Sequence, residues 1–343
     1  MKATALDPRD FAPEEALGRI LAHDVTHERR PVFHKGHVIG PEDLAPLREA
    51  AGPYLHVLEL EPGDLPEGEA ARRLAEAVVG EGVALKGPVE GRYNVVADAR
   101  GVLRLDRATL QALNELDDVS IFTLYDGQVV RPGEVLAGVK VTPLVTREAI
   151  VRQAEDLARG AGGGVAVHAF RPLRVGVVIR EALSDRERER VLRRLGDKIA
   201  WFGSELFAAD EVPDDPGAVA DAFARQARAG AGLILATGGN ALDPLDAMLQ
   251  ALARVGARLE AFGAPAHPGS LFWLAYLDGP DREVPLFGVA SCGMFSKATS
   301  VDLLLPAVFA GERLDARRIA TLWEGGLLNK QMAFKFPPYD GKD

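Results

Sequence analysis

Cysteine is almost missing from this sequence. Cys292 is the only one in 343 residues, which excludes an internal disulfide and any cysteine-rich zinc site within one chain. No apolar run approaches the roughly 18 residues of a membrane-spanning helix, so no membrane partner is expected. An excess of positive charge is also missing: 40 Lys and Arg stand against 50 Asp and Glu, a formal net charge of −10. A general binder of nucleic acid or anionic membranes needs a positive field, so neither is expected as a partner. An anionic ligand would need a locally basic site or one built from backbone N–H groups. The opening MKATALDPRDF has no apolar stretch; we read no signal peptide and expect a bacterial-type cytoplasmic protein. Aromatic residues are sparse, and Trp201, Trp273 and Trp323 lie too far apart for a stacking platform, so core positions suit them.

What is present is the mixture of a soluble globular chain, 47% hydrophobic and 26% charged, with a length that suggests two or three domains. The sharpest shift in composition is Gly160-Ala161-Gly162-Gly163-Gly164, read as a flexible linker. It separates a mixed α+β region over 1–160, with a small β-rich part, from an α/β domain over 171–312. Residues 313–343 form a C-terminal extension. In the first region, helical spacing is read over 14–23, 41–51, 66–79 and 146–158, with short strands at 83–85, 93–96, 119–124 and 127–141.

The second region alternates strand and helix more regularly. Short apolar runs at 175–179 and 233–236 suit buried parallel strands. Ser184-Asp185-Arg186-Glu187 fits a capping box ahead of the helical face Val191, Leu192, Leu195, Ile199. Asp214-Asp215-Pro216 opens a helix, and Asp243-Pro244 opens another that stops at Gly256. Residues 271–277 and 284–289 fit a hairpin across Asp278-Gly279. The fold class expected is α/β: a C-terminal three-layer domain with a mostly parallel sheet, plus the N-terminal mixed α+β region.

Chemistry concentrates where the run Leu233-Ile-Leu-Ala-Thr-Gly-Gly-Asn-Ala-Leu-Asp-Pro-Leu-Asp246 passes from strand through glycines into a helix start. Ligands of open α/β sheets bind at the carboxyl ends of strands. Paired glycines let backbone amides come close, and a helix start favours anions. Asp243 and Asp246, three apart, either cap the helix and complement its dipole or hold Mg2+ beside a bound phosphate.

Thr237-Gly238-Gly239, with Asp246 seven residues on, resembles the TGG motif of the molybdopterin-binding domain. That domain occurs in molybdopterin adenylyltransferases, molybdopterin molybdotransferases and gephyrin. Strands near Val175 and Leu233, the Pro268-Gly269 turn and Val284-Pro-Leu-Phe-Gly288 extend the resemblance over about 171–312. Upstream, Glu15-Ala-Leu-Gly-Arg-Ile-Leu-Ala-His-Asp24 looks like the first helix of molybdotransferases. The resemblance implies molybdopterin as ligand or substrate, a phosphorylated pterin. The residues expected to hold it are Thr237, Gly238, Gly239, Pro268 and Gly269 at positions that match the family, and Asn240, Asp243, Ser270, Ser291, Gly293, Ser296 and Lys297 in the same loops, where Ser270 stands in place of the family's Lys. It also implies Asp246 as the catalytic residue and Mg2+ ligand, and a homo-oligomer is expected.

Three readings follow. The first is a protein of molybdenum cofactor biosynthesis or delivery, as a transferase of the molybdotransferase type acting at the pterin phosphate or dithiolene. The second is a non-catalytic carrier or regulator: Asn240–Asp243 departs from the family motif, and the family's Leu-Pro-Gly-Asn-Pro loop is replaced by Val289-Ala-Ser-Cys-Gly-Met294. The third is an enzyme on another nucleotide-like phosphorylated ligand, since related domains occur in competence-damage-inducible-type proteins.

Other features carry less. Ser291, Ser296, Lys297 and Thr299 offer donors to an anion at a helix start, and Cys292 reads as a packed bystander. His34 and His37 read as a solvent-facing loop, not a metal site. Glu90-Gly91-Arg92-Tyr93-Asn94 either presents Arg92 to a ligand or simply turns into a strand. Interleaved arginines over 186–194 read as a solvated helix face.

Overall fold

The computed structural model describes residues 1–339 apart from 28–29, 51, 90, 181, 240–242 and 290–297. The chain divides into two units. One comprises Met1–Ala99, Leu103–Asp126 and Arg131–Val167; the other comprises Arg100–Val102, Gly127–Val130 and His168–Asp343. No helix among the described residues is long and apolar enough to cross a membrane.

In the first unit, strands Lys2–Leu6 and Ile20–Leu21 flank Leu55–Glu59 in an antiparallel sheet over Leu6, Phe11, Ala16, Leu21, Leu47 and Leu55. The helix expected over 14–23 shrinks to Pro13–Ala16. Gly18 adopts a left-handed φ of 74°, which ends the helix, and Ile20 and Leu21 then pair as a strand. Helix Glu67–Val78 forms as its spacing predicts and buries Ala70, Ala71, Leu74, Ala75 and Val78. It packs on a four-stranded antiparallel sheet ordered Val119–Thr123, Val135–Val141, Arg92–Ala97, Val83–Val89.

The glycine run is not a free linker. Helix Glu148–Ala161 extends into it, Gly162 caps that helix at φ 74°, and a Cβ on Gly164 would stand 2.9 Å from Leu110. The residues of 313–339 also belong to the second unit's core, through Leu314, Ile319, Leu322 and Tyr339.

The second unit runs β1 (Arg174–Ile179), α1 (Asp185–Trp201), β2 (Glu205–Glu211), α2 (Pro216–Arg228), β3 (Leu233–Thr237), α3 (Ala247–Val255), β4 (Arg258–Phe262), β5 (Trp273–Asp278), β6 (Glu283–Val289) and α4 (Ser300–Phe309). Its sheet order is β2-β1-β3-β6-β5-β4. The first four strands are parallel, whereas β5 and β4 are antiparallel additions. The sheet is therefore mixed, and most strand pairings described elsewhere are antiparallel. The cause is local: the tight Asp278–Arg282 turn, closed by Gly279 N–H to the Arg282 carbonyl at 3.0 Å, can join only antiparallel strands.

Side-chain alternation places two cores on the sheet. Val175, Val177, Ile179, Leu233 and Leu235 pack with Val191, Leu195, Ile199, Leu304 and Val308 of α1 and α4. Val178, Ile234 and Ala236 pack with Val219, Phe223, Met248 and Leu252 of α2 and α3. The chain leaves β1 for β2 on one side and returns to β3 on the other. The crevice at the carboxyl ends of β1 and β3 is thus a topological switch point, where ligands of such sheets bind.

Candidate functional site

At the switch point Thr237 ends β3, opposite Ile179 of β1 and Val289 of β6. Gly238 follows at φ 88°, a left-handed conformation that L side chains avoid. A Cβ on Gly239 would stand 3.2 Å from Met248 and 3.4 Å from the Asp246 carboxylate. The backbone here therefore runs tight against the start of α3. Asn240 lies outside the described residues.

The helix starts later than the sequence suggests. Asp243 is exposed, and its Oδ1 accepts the Leu245 N–H at 2.9 Å, an Asx turn that holds the chain out of the helix. Asp246 is the N-cap: its Oδ1 accepts the Met248 N–H at 2.9 Å, and the residue is only 6% exposed. Both aspartates suit a cap, and only the hydrogen bonds decide between them.

Sequence reading missed Arg180, the residue after β1. Its N–H donates to the Thr237 carbonyl at 3.0 Å, tying the ends of β1 and β3 together. Its guanidinium donates through Nη2 to Asp246 Oδ2 at 3.0 Å and to the Gly238 carbonyl, and through Nη1 to Asp214 Oδ1 at 2.5 Å. The signal was one cation closing the buried run Val175–Ile179. Arg180 Nε and Thr237 Oγ1 are buried and have no partner among the described residues. Both oxygens of Asp246 are engaged, so Mg2+ on this carboxylate would have to displace Arg180. Among the described residues no three His, Cys, Asp or Glu side chains converge on a metal position. His37 instead pairs with Asp43 at 2.6 Å and His34 approaches Asp24 at 3.6 Å.

The second loop, Pro268-Gly269-Ser270, precedes β5. Because β5 is antiparallel, its start lies at the same sheet edge as the end of β6, with Trp273 opposite Gly288. Gly269, at φ 104°, lies against α4: a Cβ there would stand 2.5 Å from Ser300 Oγ. Ser300 donates through Oγ to the Gly269 carbonyl at 2.6 Å and through its N–H to the Pro268 carbonyl at 3.0 Å. The Ser270 carbonyl accepts the N–H groups of Ala264 and Phe272 at 3.1 Å.

Thr299, expected to face a ligand, is buried and donates instead to Asp302 Oδ2 at 3.1 Å. That carboxylate also accepts the Thr299 N–H at 2.8 Å, while its Oδ1 receives Lys198 Nζ at 2.7 Å and the Tyr339 hydroxyl at 2.9 Å. Burial, and then the Asp302 charge, push the Tyr339 phenol well above its ordinary range. Ser291, Cys292, Gly293, Ser296 and Lys297 lie outside the described residues.

The structure thus brings Thr237, Gly238, Gly239 and Asp246 together with Arg180 and Asp214, and places Pro268, Gly269 and Ser270 at the same sheet edge. Asp243 faces solvent.

Among known families, residues 11–59 match the profile of a domain of unknown function, DUF8806. No functionally curated protein matches the chain. Two solved structures are similar to it at 17% identity and a TM-score of 0.29 each. One is the tungsten cofactor synthesizing protein MoaB of Pyrococcus furiosus, with 40% of this chain and 94% of that one covered. The other is a Corynebacterium diphtheriae protein assigned to molybdenum cofactor biosynthesis, with 42% of this chain and 100% of that one covered.

Proposed function

We propose that the second unit binds a phosphorylated pterin, molybdopterin or a close derivative, at the carboxyl edge of β1, β3 and β6, in molybdenum cofactor biosynthesis or delivery. The sequence resemblance over 171–312 suggests the ligand. One observation carries the reading: Arg180 is clamped at the switch point beside Gly238 and Gly239, with Nε left over. A guanidinium held by a carboxylate and a carbonyl is pre-set to meet a phosphate without ordering cost. Asp246 acts by holding Arg180 and starting α3. Because Asp246 already places a negative charge at that helix start, the phosphate belongs at Arg180 and the glycine backbone rather than over α3.

A binding protein is favoured over a metal-inserting transferase, because Asp246 is engaged on both oxygens and the Mg2+ it would hold requires Arg180 to move. The test is an anaerobic thermal-shift titration of the full chain with molybdopterin released from a molybdoenzyme, beside ATP and molybdate. A rise in Tm with the pterin that Arg180→Gln abolishes is expected. No shift with the pterin, or one that Arg180→Gln leaves intact, overturns the reading. An ATP shift abolished by Arg180→Gln would favour an enzyme on a nucleotide-like ligand.

A further inference from the structure

Arg92, Tyr93 and Asn94, singled out in the sequence, belong to the first unit. In the four-stranded sheet, Lys86 stands opposite Asn94, Asn94 opposite Gly138, and Gly138 opposite Phe122. Alternation puts these four positions on one face. Two residues along each strand, Arg92, Lys140 and Ser120 form the next row of the same face, Lys140 being opposite Ser120. The other face carries Val95, Val139 and Ile121, buried on the side of helix Glu67–Val78.

The two rows hold three cations and no carboxylate, in a chain whose net charge is −10. Among the described residues none of Lys86, Arg92 and Lys140 has an ion-pair partner. Asp118, the residue before strand Val119–Thr123, accepts the Thr146 hydroxyl at 2.7 Å. Glu67 lies against Gly91 and makes no ion pair with Arg92.

Gly138 lets two side chains converge. A Cβ there would stand 2.4 Å from the Phe122 ring and 3.0 Å from Arg92 Cδ. Phe122 therefore lies across the glycine beside Arg92, with the residue 47% exposed. Covering a strand glycine with a cross-strand ring accounts for the ring's place, but not for three unpaired cations around it. Arg92 Nε and Asn94 Oδ1, one donor and one acceptor, are buried and have no partner among the described residues. A face kept merely wet carries charges of both signs.

We propose that this face binds a nucleoside polyphosphate, its base against Phe122 and Asn94 and its phosphates on Lys86, Arg92 and Lys140. A planar ring suits an exposed aromatic face, and Asn offers an amide to a base edge. Three cations match a di- or triphosphate chain better than a monophosphate, and Arg and Lys are the usual phosphate partners.

The full chain is titrated calorimetrically at low salt with ATP, AMP, inorganic tripolyphosphate and oligo(U). ATP is expected to bind more tightly than AMP or tripolyphosphate. Lys140→Gln and Lys86→Gln, both at non-core positions, should each weaken ATP about tenfold. Phe122→Ala should bring ATP down to the level of tripolyphosphate, with circular dichroism unchanged, and Arg180→Gln should leave ATP binding intact. Absence of ATP binding, ATP binding indifferent to Lys86, Lys140 and Phe122, or its loss in Arg180→Gln would each overturn the proposal. Oligo(U) binding that tightens with length beyond ATP would overturn it in favour of single-stranded nucleic acid.

Discussion

At the scale of single residues, the group Lys198–Asp302–Tyr339, a buried ion pair with a half-buried tyrosine on it, shows how few charges hold the start of α4. The two side chains of the ion pair are 11% and 1% exposed. Removing one partner leaves the other charge buried and uncompensated. Lys198→Met should therefore cost about 3–5 kcal/mol in urea unfolding. Tyr339 gives a pH dependence. Burial and the neighbouring carboxylate favour its neutral form in the folded chain, so its folded pKa lies above that of the unfolded phenol. Its contribution is complete below about pH 10 and is lost as pH rises through the folded value, because the unfolded state releases the proton first. Wild type should lose stability above about pH 10 more steeply than Tyr339→Phe. Absorbance at alkaline pH should show Tyr276, whose phenol is also raised by burial, and Tyr339 ionising late. None of these three residues stood out in the sequence. A lysine on a charged helix, an aspartate in a helix start and a tyrosine near the C-terminus look like surface positions until packing joins them.

The link from β3 to α3 puts two tests at the scale of the element. Asp246→Ala removes the cap, worth about 0.5–2 kcal/mol, and also takes one of the two carboxylate partners from Arg180. Asp243→Ala removes only an exposed turn contact and should stay within about 0.5 kcal/mol. Thermal denaturation of the two variants checks the order, and an equal or reversed effect would return the cap to Asp243. Gly238→Val forces a β-branched residue to φ 88°, at about 1–2 kcal/mol for the left-handed conformation. It should abolish pterin binding in protein that remains folded, as equilibrium dialysis would show. Other element boundaries were legible in advance. Ser184 accepts the Glu187 N–H and Glu187 Oε2 accepts the Ser184 N–H, so the capping box read from the sequence starts α1. The hairpin across Asp278-Gly279 forms, with Trp273 opposite Gly288 and Asp278 opposite Glu283. The first helix was over-read because apolar spacing continues past Gly18, whereas the backbone turns left-handed there.

For the whole molecule, the prediction is binding without efficient metal insertion. Ser291-Cys292-Gly293-Met294 lacks the prolines that would preset a loop's backbone donors, and catalysis tolerates misplacement less than binding does. Purified protein given adenylylated molybdopterin, Mg2+ and molybdate should insert metal far more slowly than a molybdotransferase; comparable turnover would show the altered loop to be a working substitute. The sequence by itself determined the features that depend on neighbours a few residues apart. These are the apolar runs of β1 and β3, the cap of α1, the hairpin turn, and the glycines that let the chain turn after Thr237. Local hydrogen bonding and side-chain periodicity encode such features directly. The tertiary structure alone decided the rest. Arg180 reaches Asp214 and Asp246 across 34 and 66 residues of chain, and Lys198 reaches Asp302 across 104. Lys86, Arg92 and Lys140 share a face only because three strands pair in one register. Register is set by contacts between distant segments, and a shift of one residue would send every one of those side chains to the opposite face.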